Sequence, residues 1–244
     1  MKYRLLDAFA SLFRGQPYYH RRSNQGDAVS VEFYEDIYDL GHSPKFNRAA
    51  DEARRGVGPR NKAVTKTRMR RGDGTLGLLV DHNNVLRLPG YHVPRGPIAT
   101  IDIGVEVKIF NKAMMKQVDR VVGDLQKQVK HWERVTDSDS LLSVAIIGIN
   151  CSDYTVSYEG QGDTARVYKT DGKKYAHPID EAPRVLARIQ QEVIDAQHYD
   201  EVLILNYIAR NEAPFGFAWQ NATRTREAYR ATLLRIADKF ERRF

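Results

Sequence analysis

Glu106 and Lys108 flank Val107 in the run Ala99 to Ile109, where Ile101, Ile103, Val105, Val107 and Ile109 alternate with Thr100, Asp102, Gly104, Glu106 and Lys108. A period of two is that of a β-strand with one buried face, so the spacing predicts a strand and sets a carboxylate and an ammonium on its other face, about 7 Å apart. Such a pair on a rigid strand can hold a divalent cation and a reacting anion side by side. The plainer alternative is an ion pair on an exposed strand, worth under about 1 kcal/mol. Asp81, at the end of a short strand predicted over Thr75 to Val80, brings a further carboxylate to a strand end, where sites are often built.

Residues 54–71 hold Arg54, Arg55, Arg60, Lys62, Lys66, Arg68, Arg70 and Arg71 and no acid. Interrupted by Gly56, Gly58 and Pro59, this run is either a solvated loop or an arm that grips a nucleic-acid backbone through salt-sensitive contacts. The formal charge of +7 makes a polyanionic partner plausible. With a single cysteine, Cys151, no internal disulfide or thiolate zinc cluster can form, and a reducing cytoplasm is the simplest home. The histidines show no zinc-hydrolase spacing, no phosphate-binding glycine loop is present, and no apolar run reaches the roughly 20 residues that span a bilayer. A membrane partner and an ATPase are therefore not expected.

The elements that must position these groups follow from periodicity. Residues 2–14 and 27–40 form helices; on the second, Glu32, Glu35, Asp36 and Asp39 are expected on a solvated face. Ser43 caps a short helix with Pro44 at its first position. After Asn111, expected as an N-cap, Met114, Val118, Val121, Val122, Leu125, Val129 and Trp132 mark a long helix, and Leu141 to Ile149 is a strand apolar throughout, as in a sheet covered on both faces. Strand, helix, strand at this spacing is a crossover between parallel neighbours. Further on come strands at Tyr154 to Tyr158 and Glu201 to Ile208, helices around Val185 to Val193 and Tyr229 to Phe240, and the segment Pro214 to Trp219, which either stacks on bases or packs as a loop. The expectation is an α/β protein, one domain over 1–244 with a core of about 27–150, a C-terminal α/β extension over 151–244 and added terminal helices.

The order helix, strand, strand, strand carrying Glu106-Val107-Lys108, long helix with Gln117 in its second turn, strand resembles the core of the PD-(D/E)XK, or restriction-endonuclease-like, nucleases over roughly residues 27–150. The resemblance implies an αβββαβ core with a mixed sheet and a Mg2+-dependent deoxyribonuclease, Mn2+ substituting, in a prokaryotic restriction or antiviral setting. In that frame Asp81 and Glu106 are metal ligands, Lys108 orients or stabilises the attacking hydroxide, Gln117 touches the water or phosphate, and Glu35, with Glu32 as rival, adds a carboxylate from the first core helix. Arg60, Lys62, Lys66, Arg68, Arg70 and Arg71 would bind DNA, with a homodimer or a regulatory subunit as further partners. Two departures stand out: Val80, not proline, precedes Asp81, and the gap from Asp81 to Glu106 is long. Asp102 is a rival for Asp81 but sits about 13 Å along the strand from Glu106, unless a bulge at Gly104 shortens the path. A related fold that has lost catalysis and serves as a binding or assembly module is the alternative.

Overall fold

The structure, a computed structural model, describes residues 2–19, 25–58, 72–136, 141–159 and 166–244. Helix α1 (Arg4–Ser11), α2 (Gln25–Leu40) and α3 (Pro44–Asp51) lead into strands β1 (Arg55–Val57), β2 (Gly74–Leu78) and β3 (Ile103–Phe110). Helix α4 (Val118–Val135) and β4 (Leu142–Asn150) follow, then the hairpin β5 (Val156–Glu159) and β6 (Arg166–Lys169), helix α5 (Pro178–Ile189), β7 (Glu201–Ile208), β8 (Ala218–Trp219) and α6 (Ala222–Arg243). The main sheet is mixed, in the order β1-β2-β3-β4-β7-β8. Strands β1, β2 and β3 pair antiparallel, whereas β3, β4 and β7 are parallel neighbours.

Both faces of this sheet are covered. Ile103, Val105 and Val107 of β3, with Val144, Ile146, Leu203 and Leu205, meet α1, α2 and α6 through Phe9, Phe33, Leu233 and Phe240. On the other face Ala145, Ile147 and Ile149 meet Leu125, Val129 and Trp132 of α4 and Val185 and Ile189 of α5. The apolar character of β4 follows from this, since all nine of its residues are buried. Among the described residues no helix is long and apolar enough to cross a membrane.

Several sequence-based expectations change. Asn111 does not cap α4; it is buried and its Oδ1 accepts from Asn150 Nδ2 at 3.0 Å, tying the end of β3 to the end of β4, and α4 begins later, after a 3-10 turn at Met114–Lys116. The acids of α2 are not all solvated: Glu35 and Asp36 are buried. Asp36 accepts from the backbone N–H groups of Arg4 (2.8 Å) and Leu5 (3.0 Å) and from the Tyr229 hydroxyl (2.7 Å), so it caps α1 and joins three helices. Burial pushes its carboxyl up to about 6 against these donors. Phe217 and Trp219 pack against Phe9, and Phe217 also against Phe13 and Tyr207, so the aromatic segment packs on the core and its end forms β8.

Gly104 forms no bulge. It pairs in register with Thr75 on one side and Ser143 on the other. Its lack of a side chain makes room for Trp132, whose indole a Cβ would approach to 2.7 Å, and the same ring lies 2.8 Å from a Cβ built on Gly72. The C-terminal end of α4 is thereby seated on β3 and on the residue before Asp73. Gly104→Ala is expected to lower unfolding stability by about 1–3 kcal/mol through overpacking. An unshifted urea midpoint would show that the indole does not seat there.

Candidate active site

Glu106 and Lys108 lie on the face of β3 that turns toward α4, and the structure brings them together: Lys108 Nζ donates to Glu106 Oε1 at 2.5 Å. Glu106 is only 5% exposed. The expected polar, open face of this strand is therefore closed, because the crossover through α4 lays a helix across it.

The second carboxylate at the site is Asp73, not Asp81. The pairs Gly74↔Val105, Thr75↔Gly104 and Leu76↔Ile103 put Asp73 opposite Glu106 when the register is extended by one residue. Asp73 directly precedes β2, and its side chain continues the ladder: its Oδ2 accepts from the backbone N–H of Val107 at 2.8 Å. Helix α2 is fastened to the same corner by residues four apart. A Cβ on Gly26 would stand 2.5 Å from the Asp73 carboxyl carbon, Ser30 Oγ donates to the Asp73 carbonyl at 2.6 Å, and Tyr34 donates to the Ile103 carbonyl at 3.2 Å. The positive end of a helix dipole favours a carboxylate at that place.

The electrostatics follow from burial. Loss of water, and then the charge of Asp73, push the Glu106 carboxyl up to about 7, with Lys108 pulling the other way. Burial lowers the Lys108 ammonium, but Glu106, Asp73 and Asp124 of α4 more than offset it, so it is held above the ordinary lysine range. Lys108 is thus a fixed positive charge at neutral pH.

Several buried polar atoms here have no hydrogen-bond partner among the described residues: Glu106 Oε2, both amide atoms of Gln128 and the Trp132 indole nitrogen. The Gln128 amide nitrogen lies 3.5 Å from a Cβ built on Gly72, beside Asp73. Leaving a polar group unmatched costs about 1–3 kcal/mol. An unmatched carboxylate oxygen next to a second carboxylate fits a hard divalent cation, which takes oxygen ligands and keeps waters. Asp73 and Glu106 are the residues that would hold one. No group of three or more His, Cys, Asp or Glu side chains forms a ready cage among the described residues.

The other expected site residues lie elsewhere. Asp81 is exposed, three residues beyond the far end of β2, with its Oδ1 accepting from the Asn83 N–H at 2.9 Å. It is about 25 Å along the chain from Asp73. Glu35 lies nine residues after Gly26, about 13 Å along α2, and accepts from the backbone N–H groups of His92 (2.8 Å) and Val93 (3.0 Å). Burial raises its carboxyl and those two donors lower it. Glu32 accepts from Tyr91 at 2.6 Å. Gln117 donates to the Lys112 carbonyl at 2.6 Å, closing the turn before α4. Asp102 is taken by Arg55, whose Nε donates to it at 2.6 Å, and by the Thr100 hydroxyl at 2.7 Å. Arg55, read as part of a basic arm, is thus a structural residue of β1, while Arg60, Lys62, Lys66, Arg68, Arg70 and Arg71 lie outside the described residues.

Sequence reasoning missed Asp73, Asp124 and Gln128. Gly72-Asp73-Gly74 looks like a turn, but once β2 is antiparallel to β3 the acid nearest Glu106 must come from the start of β2. Gln128 falls on the apolar stripe of α4 between Leu125 and Trp132, and a polar residue there is a usable signal. No family model, curated protein or solved structure significantly matches the chain.

The raised Glu106 carboxyl sets a pH dependence. Its folded value, about 7, lies above the unfolded 4.5. The cation-free folded state therefore holds a proton that the unfolded chain has released, and stability falls as pH rises through that window. Glu106→Gln is expected to stabilise the cation-free protein at pH 8 by roughly 2 kcal/mol and to flatten the decline between pH 4.5 and 7. Thermal melts across pH in chelator check this; parallel curves for the two proteins would refute it.

Proposed function

We propose that this protein is a metal-dependent nuclease that hydrolyses phosphodiester bonds of DNA, with Asp73, Glu106 and Lys108 at its centre. The carrying observation is that an antiparallel neighbour sets Asp73 opposite a buried Glu106–Lys108 pair, leaving one Glu106 oxygen unmatched. Support also comes from topology. Residues 25–150 run helix α2, strands β1 to β3 antiparallel, helix α4 and a parallel β4, with the short α3 inserted. That order agrees with the αβββαβ core which the Glu-Val-Lys resemblance implies, and in this reading Asp73 takes the role assigned to Asp81.

The residues present suit this chemistry. A bound Mg2+ would supply charge to acidify water and to neutralise the growing negative charge on the phosphoryl oxygens. Asp73 is fixed for its part by the Val107 N–H and by the start of α2. Lys108 stays protonated, so it acts as a positive donor toward water or a phosphate oxygen rather than as a base. Its side chain is 23% exposed against 6% for Glu106, so Lys108 is the member of the pair more open to an arriving phosphate. Trp132, against Gly104 and Gly72, keeps bulk water from the back of the site.

The test is nicking of supercoiled plasmid with Mg2+ or Mn2+, with and without chelator. Asp73→Asn, Glu106→Gln and Lys108→Ala should each lose about a hundredfold or more in rate, while Asp81→Asn should cut like wild type. Metal-dependent nicking that all variants share would belong to a contaminant and end this reading. Inactivity of the wild type on plasmid and on single strands would favour the binding-module alternative.

A further inference from the structure

The carboxyl ends of β3, β4 and β7 lie at one edge of the sheet, because the three strands are parallel. Beyond that edge sit the turn 112–116, the β5–β6 hairpin and the loop 170–177. The hairpin is anchored there by the Val156 N–H on the Arg210 carbonyl at 2.8 Å, and the turn by the Met114 N–H on buried Glu181 at 2.7 Å. This edge concentrates cations over aromatic rings. Lys112 Nζ is 5.4 Å from the Tyr168 ring centre, Lys116 is 5.0 Å from that of Tyr175, and Lys174 stands 5.8 and 5.7 Å from the two. Three lysines thus converge on two neighbouring rings.

Charge separates this surface from its neighbour. On the adjoining side, Lys169 and Arg210 cover Tyr154, but Arg210 pairs with Asp153 at 2.9 Å, and Lys169 with Glu212 at 3.8 Å. Among the described residues Lys116, Arg166, Lys173 and Lys174 have no acidic side chain within salt-bridge distance. All four are exposed, and Tyr168 and Tyr175 are part-exposed. Uncompensated cations beside accessible ring faces are the two components that hold single strands: backbone phosphates on the cations, unpaired bases against the rings. A duplex presents the phosphates but hides the base faces.

We infer that the surface formed by Lys116, Lys173 and Lys174 with Tyr168 and Tyr175 is a binding platform for single-stranded nucleic acid. It leads away from the candidate active site. Lys112 follows Lys108 by four residues, so their backbones are at most about 14 Å apart. A strand with one phosphate at Lys108 would continue past the turn 112–116 onto Tyr168 and Tyr175. Only this path rests on the proposed nuclease centre; the binding itself does not.

The experiment is fluorescence anisotropy with labelled oligo-dT and with labelled duplex, in chelator so that cleavage plays no part, across a salt series. Lys116→Ala with Lys174→Ala should weaken oligo-dT binding and make the log–log salt slope shallower by about 0.7 per lost contact. Tyr168→Ser with Tyr175→Ser should lose about fivefold or more in affinity for oligo-dT and little for duplex, while Tyr168→Phe with Tyr175→Phe keeps it. Lys169→Ala with Arg210→Ala, on the neutralised side, serves as control and should bind as wild type. Circular dichroism checks that each variant folds. Undiminished oligo-dT binding by both the lysine and the serine variants overturns the platform. Loss by the lysine variant alone, equal on duplex, makes it a general polyanion surface and overturns the single-strand claim. Binding that behaves as expected beside a plasmid left intact would remove the nuclease and leave the platform standing.

Discussion

Glu106 is a carboxylate held where water hardly reaches, and the arrangement of the sheet around it follows from what makes that tolerable. A buried acid must either keep its proton or find positive charge. Lys108, two residues on along the same strand face, provides the charge at 2.5 Å, while Asp73 across the strand pair opposes it. The balance leaves the acid poised near neutrality, and among the described residues one of its oxygens has no hydrogen-bond partner. Native folds leave few buried polar groups unmatched. Four such atoms, from Glu106, Gln128 and Trp132, gather here among the described residues.

The position of each neighbour is a matter of strand direction. Because β3 and β4 are parallel, their connection has to cross the sheet, and α4 covers the face that bears Glu106. Because β2 runs against β3, the residue of β2 that reaches Glu106 is at its beginning. Alternation along residues 101–109 identified Glu106, Lys108 and the buried odd-numbered face, and the 112–149 spacing identified the parallel crossover. Neither carries the direction of β2, so Asp81, at the wrong end of that strand, looked as good as any acid. Gly104 was equally ambiguous: a glycine inside a strand suggests a bulge or a close approach, and only the position of Trp132 decides for the second.

The acids of α2 show another limit of pattern reading. Glu35 and Asp36 belong to a helix face that composition marks as wet, yet both are buried because other segments bring backbone donors to them: residues 92–93 to Glu35, the start of α1 to Asp36. A helix N-terminus has N–H groups with no partner of their own, and an acid from elsewhere is one solution. The demand comes from α1, so nothing in the periodicity of α2 reveals it. Much the same holds for Arg55, which composition groups with a basic run but which Asp102, Phe240 and Phe244 surround.

Residue type alone also fails to separate packing from recognition in the C-terminal half. Phe217 and Trp219 suit either stacking on bases or packing, and it is packing that the structure shows: they close an aromatic cluster with Phe9, and their neighbours are other rings. Tyr154 has two cations over its ring, yet Asp153 and Glu212 cancel their charge, so that corner is a local clamp. Beside Tyr168 and Tyr175 the cations are the same in kind, and among the described residues Lys116, Lys173 and Lys174 have no acid at salt-bridge distance. An ion pair satisfied within the chain gains little by exchanging its partner for a phosphate, whereas a lysine without one gives up only water and counterions. The placement of acids around the tyrosines, more than that of the lysines, therefore divides this end of the molecule into a part that holds the fold and a part free to hold something else.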